Sequence, residues 1–416
     1  MRYLTLLENT VCASTISQLA GEIGLRSDDL YSQLTGLSGY LSKKLNVKDI
    51  LHLERDRFAF RKITGVFRVN DCLEIEVIPK FLNGCDDWRG EVLQLLSMSA
   101  KRRVLDAKSI VSVRSGRRGS LAEEITCLFI ELYKKVESAP IRTYQAISFS
   151  SFAFEGDLDE ESIFLPDSEG FLQKTSMFTI KNRYNAVIAD AALCLLEMTT
   201  NYVDRNRLLG IASRLGGSSR VRDAGRGDVP PQYSRWQPLY ALSTNILKGK
   251  TMTLGQDGAS PYPSIVVRTQ DAWEELMRRA LSYSFGPSLQ YHGRYEFAKR
   301  EGKSVMLVPD FIVRANNSAD CILDAKYKYL NSDSAGALTS DLYEGYAYSS
   351  TTGIKNVVLL FPSSDEGGHG AFNISQVTKR SDFCLYVAKV CPKAMIGGDF
   401  EAFKNDLRNF MANLPT

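Results

Sequence analysis

Histidine is scarce in this sequence. His52, His292 and His369 are its three, which argues against a His-rich metal centre and leaves carboxylates as the groups to hold a divalent ion. The eight cysteines, Cys12 to Cys391, are scattered without a Cys-x-x-Cys pair. Neither a paired-cysteine zinc site nor a disulfide framework is expected, and they read as buried free thiols of a reducing compartment. Long apolar runs are lacking too. The longest, Ala186 to Leu196, is broken by Asp190 and falls short of the ~20 residues that cross a bilayer. The first residues, Met1 to Glu8, meet an acid at once and lack the apolar stretch of a secretory leader. These absences predict a cytoplasmic protein with no membrane partner. A P-loop is missing as well: before Gly249-Lys250-Thr251, Thr244 stands where the first glycine is required, so any nucleotide chemistry must come from another chain.

A strong excess of one charge is also absent. The 51 basic and 48 acidic side chains leave a net +3, which neither announces nor excludes a nucleic-acid binder, because binding needs a local patch. Two basic clusters are present. One holds Lys101, Arg102, Arg103, Lys108, Arg114, Arg117 and Arg118. The other places Arg214, Arg220, Arg222, Arg226 and Arg235 among glycines, with Pro230-Pro231, Tyr233 and Trp236. Gly210 to Trp236 therefore reads as an exposed loop whose arginines suit a phosphate backbone and whose aromatics suit a base. Seven acids between Glu155 and Glu169 read as a solvated face or a partner contact.

What remains is ordinary globular chemistry, 416 residues with 44% hydrophobic content, enough for two or three domains. The expected divisions are 1–125, an α+β region; 126–260, mainly helical; and 261–416, entered through a Gly/Pro-rich connector. The first ~65 residues read as helix and turn. Asn70-Asp71 joins two β-rich runs, and in the second Leu73, Ile75 and Val77 alternate with Glu74 and Glu76, the pattern of a half-buried strand. Helices are expected at Trp88–Met98, 182–203 and Pro238–Leu247. The last third reads as α-β-β-α-β-β-α around a mixed sheet: helix Thr269–Leu281, strands Val305–Val308 and Phe311–Val313, strand Cys321–Tyr327, helix Asp341–Ser349, buried strand Asn356–Phe361, strand Cys384–Val390 and helix Phe400–Asn413.

The sharpest feature is Pro309-Asp310 followed, after thirteen residues, by Asp324-Ala325-Lys326. Phosphodiester cleavage needs a divalent ion on the phosphate and an activated water. Two carboxylates from adjacent strands can hold that ion. Side chains alternate along a strand, so Asp324 and Lys326 share a face, and Lys326 can orient the water or stabilise developing charge. The pattern resembles the PD-(D/E)XK nuclease core. Glu274 and Glu275 on the preceding helix supply a further acid.

Trp273-Glu274-Glu275-Leu276, Val308-Pro309-Asp310, Leu323 to Lys328 and Asp341 to Tyr348 together resemble the McrC family, the nuclease subunits of McrBC-type restriction systems. The hairpin ending in Ile78-Pro79-Lys80 and the stretch Lys181 to Asn185 extend the resemblance upstream. It implies an α/β fold (α+β overall) with a C-terminal PD-(D/E)XK core, its mixed central sheet flanked by helices. It further implies a DNA endonuclease using Mg2+ or Mn2+, with Asp310, Asp324 and Glu274 as metal ligands and Lys326 as the catalytic lysine. The implied partners are double-stranded DNA, modified or foreign, and an McrB-like AAA+ GTPase ring, on which the N-terminal region docks and whose hydrolysis it stimulates. Lys328, Glu344, Tyr348, Arg220, Arg222 and Arg226 are the expected DNA contacts; Tyr343, Tyr346 and Tyr348 also read as packing residues. One departure stands out: the helix after the lysine carries Glu344 where the family usually has glutamine. A catalytically silent adaptor of the motor and a standalone repair nuclease are the alternative readings.

Overall fold

A computed structural model describes residues 1–85, 88–97, 120–165, 167–216, 228–249, 264–300, 303–314, 320–328, 335–363, 372–379, 383–392, 395 and 400–414. The basic segment Lys101 to Arg118, the connector 255–263 and Arg220, Arg222 and Arg226 lie outside the described residues. The fold is mixed α/β. The chain divides into two compact units, one joining Met1–Leu96 to Val266–Thr416 and one built on Ser97–Lys250. No described helix is long and apolar enough to cross a membrane.

The first unit begins with strand β1 (Arg2–Leu7), helices α1 (Ile16–Ile23) and α2 (Ser27–Leu45), a hairpin of β2 (Leu51–Glu54) and β3 (Arg57–Phe60), and strands β4 (Ile63–Asn70) and β5 (Leu73–Ile78), before α3 (Trp88–Ser97). Helix α1 starts at a reciprocal cap between Thr15 and Gln18, which satisfies two of the donors that a helix start leaves open. β5 pairs in parallel with β1 and antiparallel with β4. The expectation of a half-buried β5 fails: both faces of the strand are buried, and Glu74 and Glu76 with them. Their charges are met by Arg68, 3.6 Å from Glu74, and Arg89, 2.9 Å from Glu76.

The second unit contains α4 (Leu121–Lys134), β6 (Thr143–Ser151), β7 (Asp157–Leu158), α5 (Glu160–Phe164), β8 (Phe171–Thr179), α6 (Arg183–Met198), α7 (Tyr202–Leu215) and α8 (Gln237–Gly249). Asn182 caps α6, and Asn185 reaches back with its amide to the carbonyls of Ile141 and Ile180 at 2.8 and 2.7 Å. These bonds explain why two asparagines open this helix. The three-stranded antiparallel sheet β6-β8-β7 was not anticipated. Residues 210–215, expected in an exposed loop, complete α7. Trp236, expected to stack on a base, is buried and donates its indole N–H to Ala139 at 2.9 Å. By contrast, Tyr144, Phe152, Phe154, Phe164 and Leu165 are exposed.

The rest of the first unit opens with β9 (Ser264–Arg268), which joins β4 at the edge of the sheet β1-β5-β4-β9. Helix α9 (Thr269–Phe285) follows. Strands β10 (Leu289–Tyr291), β13 (Phe311–Val313), β14 (Cys321–Ala325), β15 (Asn356–Pro362), β16 (Phe372–Lys379) and β17 (Cys384–Val390) form one mixed sheet, in the order β10-β13-β14-β15-β17-β16. β11 (Tyr295–Arg300) and β12 (Lys303–Leu307) form a separate hairpin. The expected strand around Val305 thus lies outside the main sheet, and its Val305 and Met306 are exposed. Helix α10 (Ala335–Thr352) carries the crossover from β14 to the parallel β15, and α11 (Glu401–Ala412) ends the unit.

Ile312, Ile322, Val357, Leu359 and Leu385 on one sheet face pack with Tyr348 and Ile354. Gly345 lets α10 lie close, since a Cβ there would stand 3.1 Å from Leu385 and 3.4 Å from Val357. On the other face Tyr386 meets Phe410 of α11, and the indole N–H of Trp273 in α9 donates to Leu360 at 3.2 Å.

Glu8, at the end of β1, ties the two parts of this unit together. It is buried. One carboxylate oxygen accepts from the Lys62 N–H at 2.8 Å and the Thr269 hydroxyl at 3.1 Å; the other accepts from the Tyr327 hydroxyl and the Lys80 N–H. The Lys80 ammonium lies 4.3 Å from the centre of the Tyr327 ring, and Phe81 packs on both Trp273 and Tyr327. Burial raises the Glu8 carboxyl pKa above its ordinary range despite the pull of Tyr327 and Lys80. Removing this acceptor strands several buried donors, so Glu8→Ala is expected to lower stability by about 2–5 kcal/mol. The urea midpoint of the first unit's transition measures this, with Glu8→Gln expected to lose less.

Candidate functional site

The sheet register builds the site. Phe311 faces Leu323 and Ile312 faces Ile322 across β13 and β14, so the continuing register sets Asp310 beside Asp324. Asp310 Oδ2 accepts from the Ala325 N–H at 2.8 Å, which fixes the acid against the neighbouring strand. The Lys326 N–H donates to Leu360 at 3.0 Å, carrying extended backbone one residue past β14. Alternation then places Asp324 and Lys326 together, and the lysine Nζ lies 2.6 Å from Asp324 Oδ2.

Lys326 has a second carboxylate partner. Its Nζ donates to Glu344 Oε2 at 2.7 Å, while the Tyr348 hydroxyl donates to Glu344 Oε1 at 2.8 Å. The i, i+4 spacing of Glu344 and Tyr348 sets both on one face of α10. Tyr348 is only 5% exposed, so it supports Glu344 from within and presents almost no surface to DNA. Lys328 Nζ pairs at 2.7 Å with the buried Asp341. Tyr343, expected to pack, is instead 68% exposed, and Tyr346 is half-exposed with one edge on Phe383.

Glu274, on α9, approaches Asp310 from another side. Its Oε1 accepts from the Tyr291 hydroxyl at 2.9 Å and lies 2.8 Å from His292 Nε2. Glu274, His292 and Asp310 each offer one ligand atom, and these atoms lie within 4.8 Å of one another. Glu275 is turned elsewhere, to Arg278 at 2.6 Å and Arg279 at 3.3 Å. Tyr291 and His292 were missed in the sequence. His292 stands eighteen residues after Glu274, and no fixed-spacing motif could have revealed it.

The charges here are under tension. Burial, then Asp324 and Glu274, push the Asp310 carboxyl up to about 7, while the Ala325 N–H and Lys326 pull the other way. Burial also raises Asp324, against the pull of Lys326. Burial opposes a charged Lys326, yet Asp324 and Glu344 outweigh it and hold the ammonium above its ordinary range. For Glu344 burial is outweighed by Lys326 and Tyr348, so its pKa is lowered. The cluster thus holds one firmly charged lysine among carboxylates crowded enough to compete for protons.

These features define a mixed α/β protein with a carboxylate–lysine cluster at the end of its larger mixed sheet. The chain belongs to the family described as McrBC 5-methylcytosine restriction system component, whose family model matches residues 59–362. Two solved structures from Thermococcus gammatolerans are similar. A chain of the refined half-complex of McrB AAA+ hexamers with bound McrC is 16% identical, with a TM-score of 0.67 over 98% of this chain and 100% of that one. A chain of the McrBC complex solved by cryo-EM is 14% identical, with a TM-score of 0.46 over 68% of this chain and 88% of that one. No protein of curated function matches. The first likeness shows a fold shared along the whole chain.

The raised Asp310 pKa gives a signed pH dependence. A carboxyl raised in the folded state adds stability that is fully present below its unfolded pKa and lost as pH rises through the folded value. The metal-free protein should therefore lose stability between about pH 4, the unfolded value, and pH about 7. Asp310→Asn removes this contribution. Urea midpoints of the two proteins are expected to shift in the variant's favour across that window and run parallel above it.

Proposed function

We propose that this chain is the DNA-cleaving subunit of an McrBC-type restriction system, with a PD-(D/E)XK cleavage site at Asp310, Asp324 and Lys326. The observation that carries the reading is the convergence of these three side chains at one sheet end, with Glu274 brought to Asp310 by α9. Crowded carboxylates that raise one another's affinity for protons are a donor set for a hard divalent cation, Mg2+ or Mn2+, so the residues fit the metal that the family resemblance implies. Asp310, Asp324 and Glu274 would hold it; bound there, it would polarise the phosphate and lower the pKa of a water.

The chain's own groups supply the remainder. Lys326, held charged by Asp324 and Glu344, stabilises negative charge developing on the phosphate oxygens. Glu344 positions that ammonium, and Tyr348 positions Glu344. Lys328, two residues beyond Lys326, supplies a phosphate contact; Arg220, Arg222 and Arg226 are separate proposed contacts to DNA. The partner would be an AAA+ GTPase ring like the McrB hexamers of the similar structure. Phe152, Phe154, Phe164 and Leu165 of the second unit support such docking: they are exposed toward the Ser151–Phe171 end of the β6–β8 pairing, beside acids such as Glu155, Asp157 and Glu161, and exposed apolar groups rimmed by charge mark a protein contact. This patch lies beyond the 1–125 region expected to dock.

Two experiments test this function. In the presence of the motor, GTP, Mg2+ and methylated DNA, Asp310→Ala and Asp324→Ala are expected to abolish cleavage, and Lys326→Ala to slow it by about 10²–10⁴-fold, while motor stimulation persists in all three. Stimulation without cleavage by the unaltered chain would establish the adaptor reading instead. Conversely, Phe154→Asp with Phe164→Asp is expected to weaken association with the ring, read by analytical ultracentrifugation, without changing divalent-cation binding by the chain.

A further inference from the structure

We propose that His292 is a ligand of the same cation, making the site a Glu274–His292–Asp310 centre that takes Mn2+ or another first-row transition ion in preference to Mg2+. This inference rests on the reading of the cluster as a divalent-cation site and extends it to the metal's chemical class.

Several independent constraints aim the imidazole. β10 and β13 pair antiparallel with Tyr291 opposite Phe311; the next pair in that register is His292 and Asp310, and the His292 N–H indeed donates to the Asp310 carbonyl at 3.1 Å. Directly opposed residues of antiparallel strands project to the same side. The ring stacks on Tyr291 at a centroid distance of 3.7 Å. His292 also holds a left-handed backbone with φ of 49°, an uncommon conformation for a residue with a side chain. The tight turn continues at Gly293, where a Cβ would stand 2.8 Å from the Tyr295 ring and 2.9 Å from Gln290 Nε2. Backbone strain at a turn that delivers one nitrogen to two carboxylates is consistent with a functional placement.

The donor set follows. His292 Nε2 lies 2.8 Å from Glu274 Oε1, and both lie within 4.8 Å of an Asp310 oxygen, a spacing compatible with neighbouring positions around one ion. Tyr291 fixes Glu274 through its own bond at 2.9 Å. Ligation uses the neutral imidazole with its proton on Nδ1. Magnesium strongly prefers oxygen donors, whereas an imidazole between two carboxylates favours manganese, iron or cobalt. Asp324, paired through Oδ2 with Lys326, lies outside this three-residue group, so His292 adds to the donors proposed above and does not replace Asp324.

Mn2+ bound to the purified full-length chain tests this directly. Electron spin-echo envelope modulation is expected to show the nitrogen coupling of a directly bound imidazole. His292→Gln should lose that coupling, weaken Mn2+ binding about ten-fold or more, and weaken Mg2+ binding less. Asp310→Asn should lose Mn2+ binding altogether. The proposal is overturned if bound Mn2+ shows no nitrogen coupling in the unaltered chain, or if His292→Gln leaves both the coupling and the Mn2+ affinity unchanged. DNA cleavage followed in parallel separates the two levels: cleavage that persists alongside either result removes only the histidine, while a chain that binds neither Mn2+ nor Mg2+ removes the divalent-cation reading as well.

Discussion

The alternation of side chains at the end of β14 is the constraint on which the first unit depends. Asp324 and Lys326 take one face, and Ala325 and Tyr327 take the other. One face therefore carries the ion pair that α10 completes through Glu344. The opposite face sends Tyr327 to Glu8 and into the aromatic contact with Phe81. A slip of one residue would bury the lysine against the N-terminal sheet and expose the tyrosine among the carboxylates. The register is pinned by bonds on both sides: Asp310 to the Ala325 N–H, and the Lys326 N–H to Leu360.

Electrostatics sets the cluster apart from an ordinary surface group of acids. Asp310 sits between Asp324 and Glu274, each raising its proton affinity, and Lys326 relieves only part of the crowding. Glu344 adds a second negative partner to the lysine. Glu344 thereby holds the ammonium in its charged form and in one position. Tyr348 shows the same economy, since its hydroxyl serves Glu344 and its ring serves the core.

The two acids, the lysine and their common sheet were legible because strand alternation and short spacing are written locally. The choice of Glu274 over Glu275 came from resemblance, and the geometry separates the pair by their partners. What could not be read depends on long-range pairing. Glu74 and Glu76 look solvent-facing until Arg68 of β4 and Arg89 of α3 are seen to pair with them in a buried setting. Trp236 looks like a stacking residue until Ala139 claims its indole N–H. His292 is invisible in the sequence, because only the β10–β13 register brings it to Asp310. β16 was within reach: Phe372, Ile374 and Val377 stand among polar residues in near-alternation, a strand pattern with one irregularity where the pairing itself shifts.

The bond between Glu8 and Tyr327 joins residues 319 positions apart in the chain, and it also orders events during synthesis. A unit closed by so distant a contact has a high contact order, and its closure entropy must be overcome before that contact rewards it. The N-terminal sheet lacks its edge strand β9 until 268 residues have left the ribosome, and Glu8 lacks its tyrosine until 327 have. Meanwhile the intervening unit, whose sheet and helices draw on residues within one continuous stretch, has everything it needs to fold first. The carboxylate–lysine cluster would then be assembled among the last features of the chain, so truncated products would carry the intervening unit without that cluster.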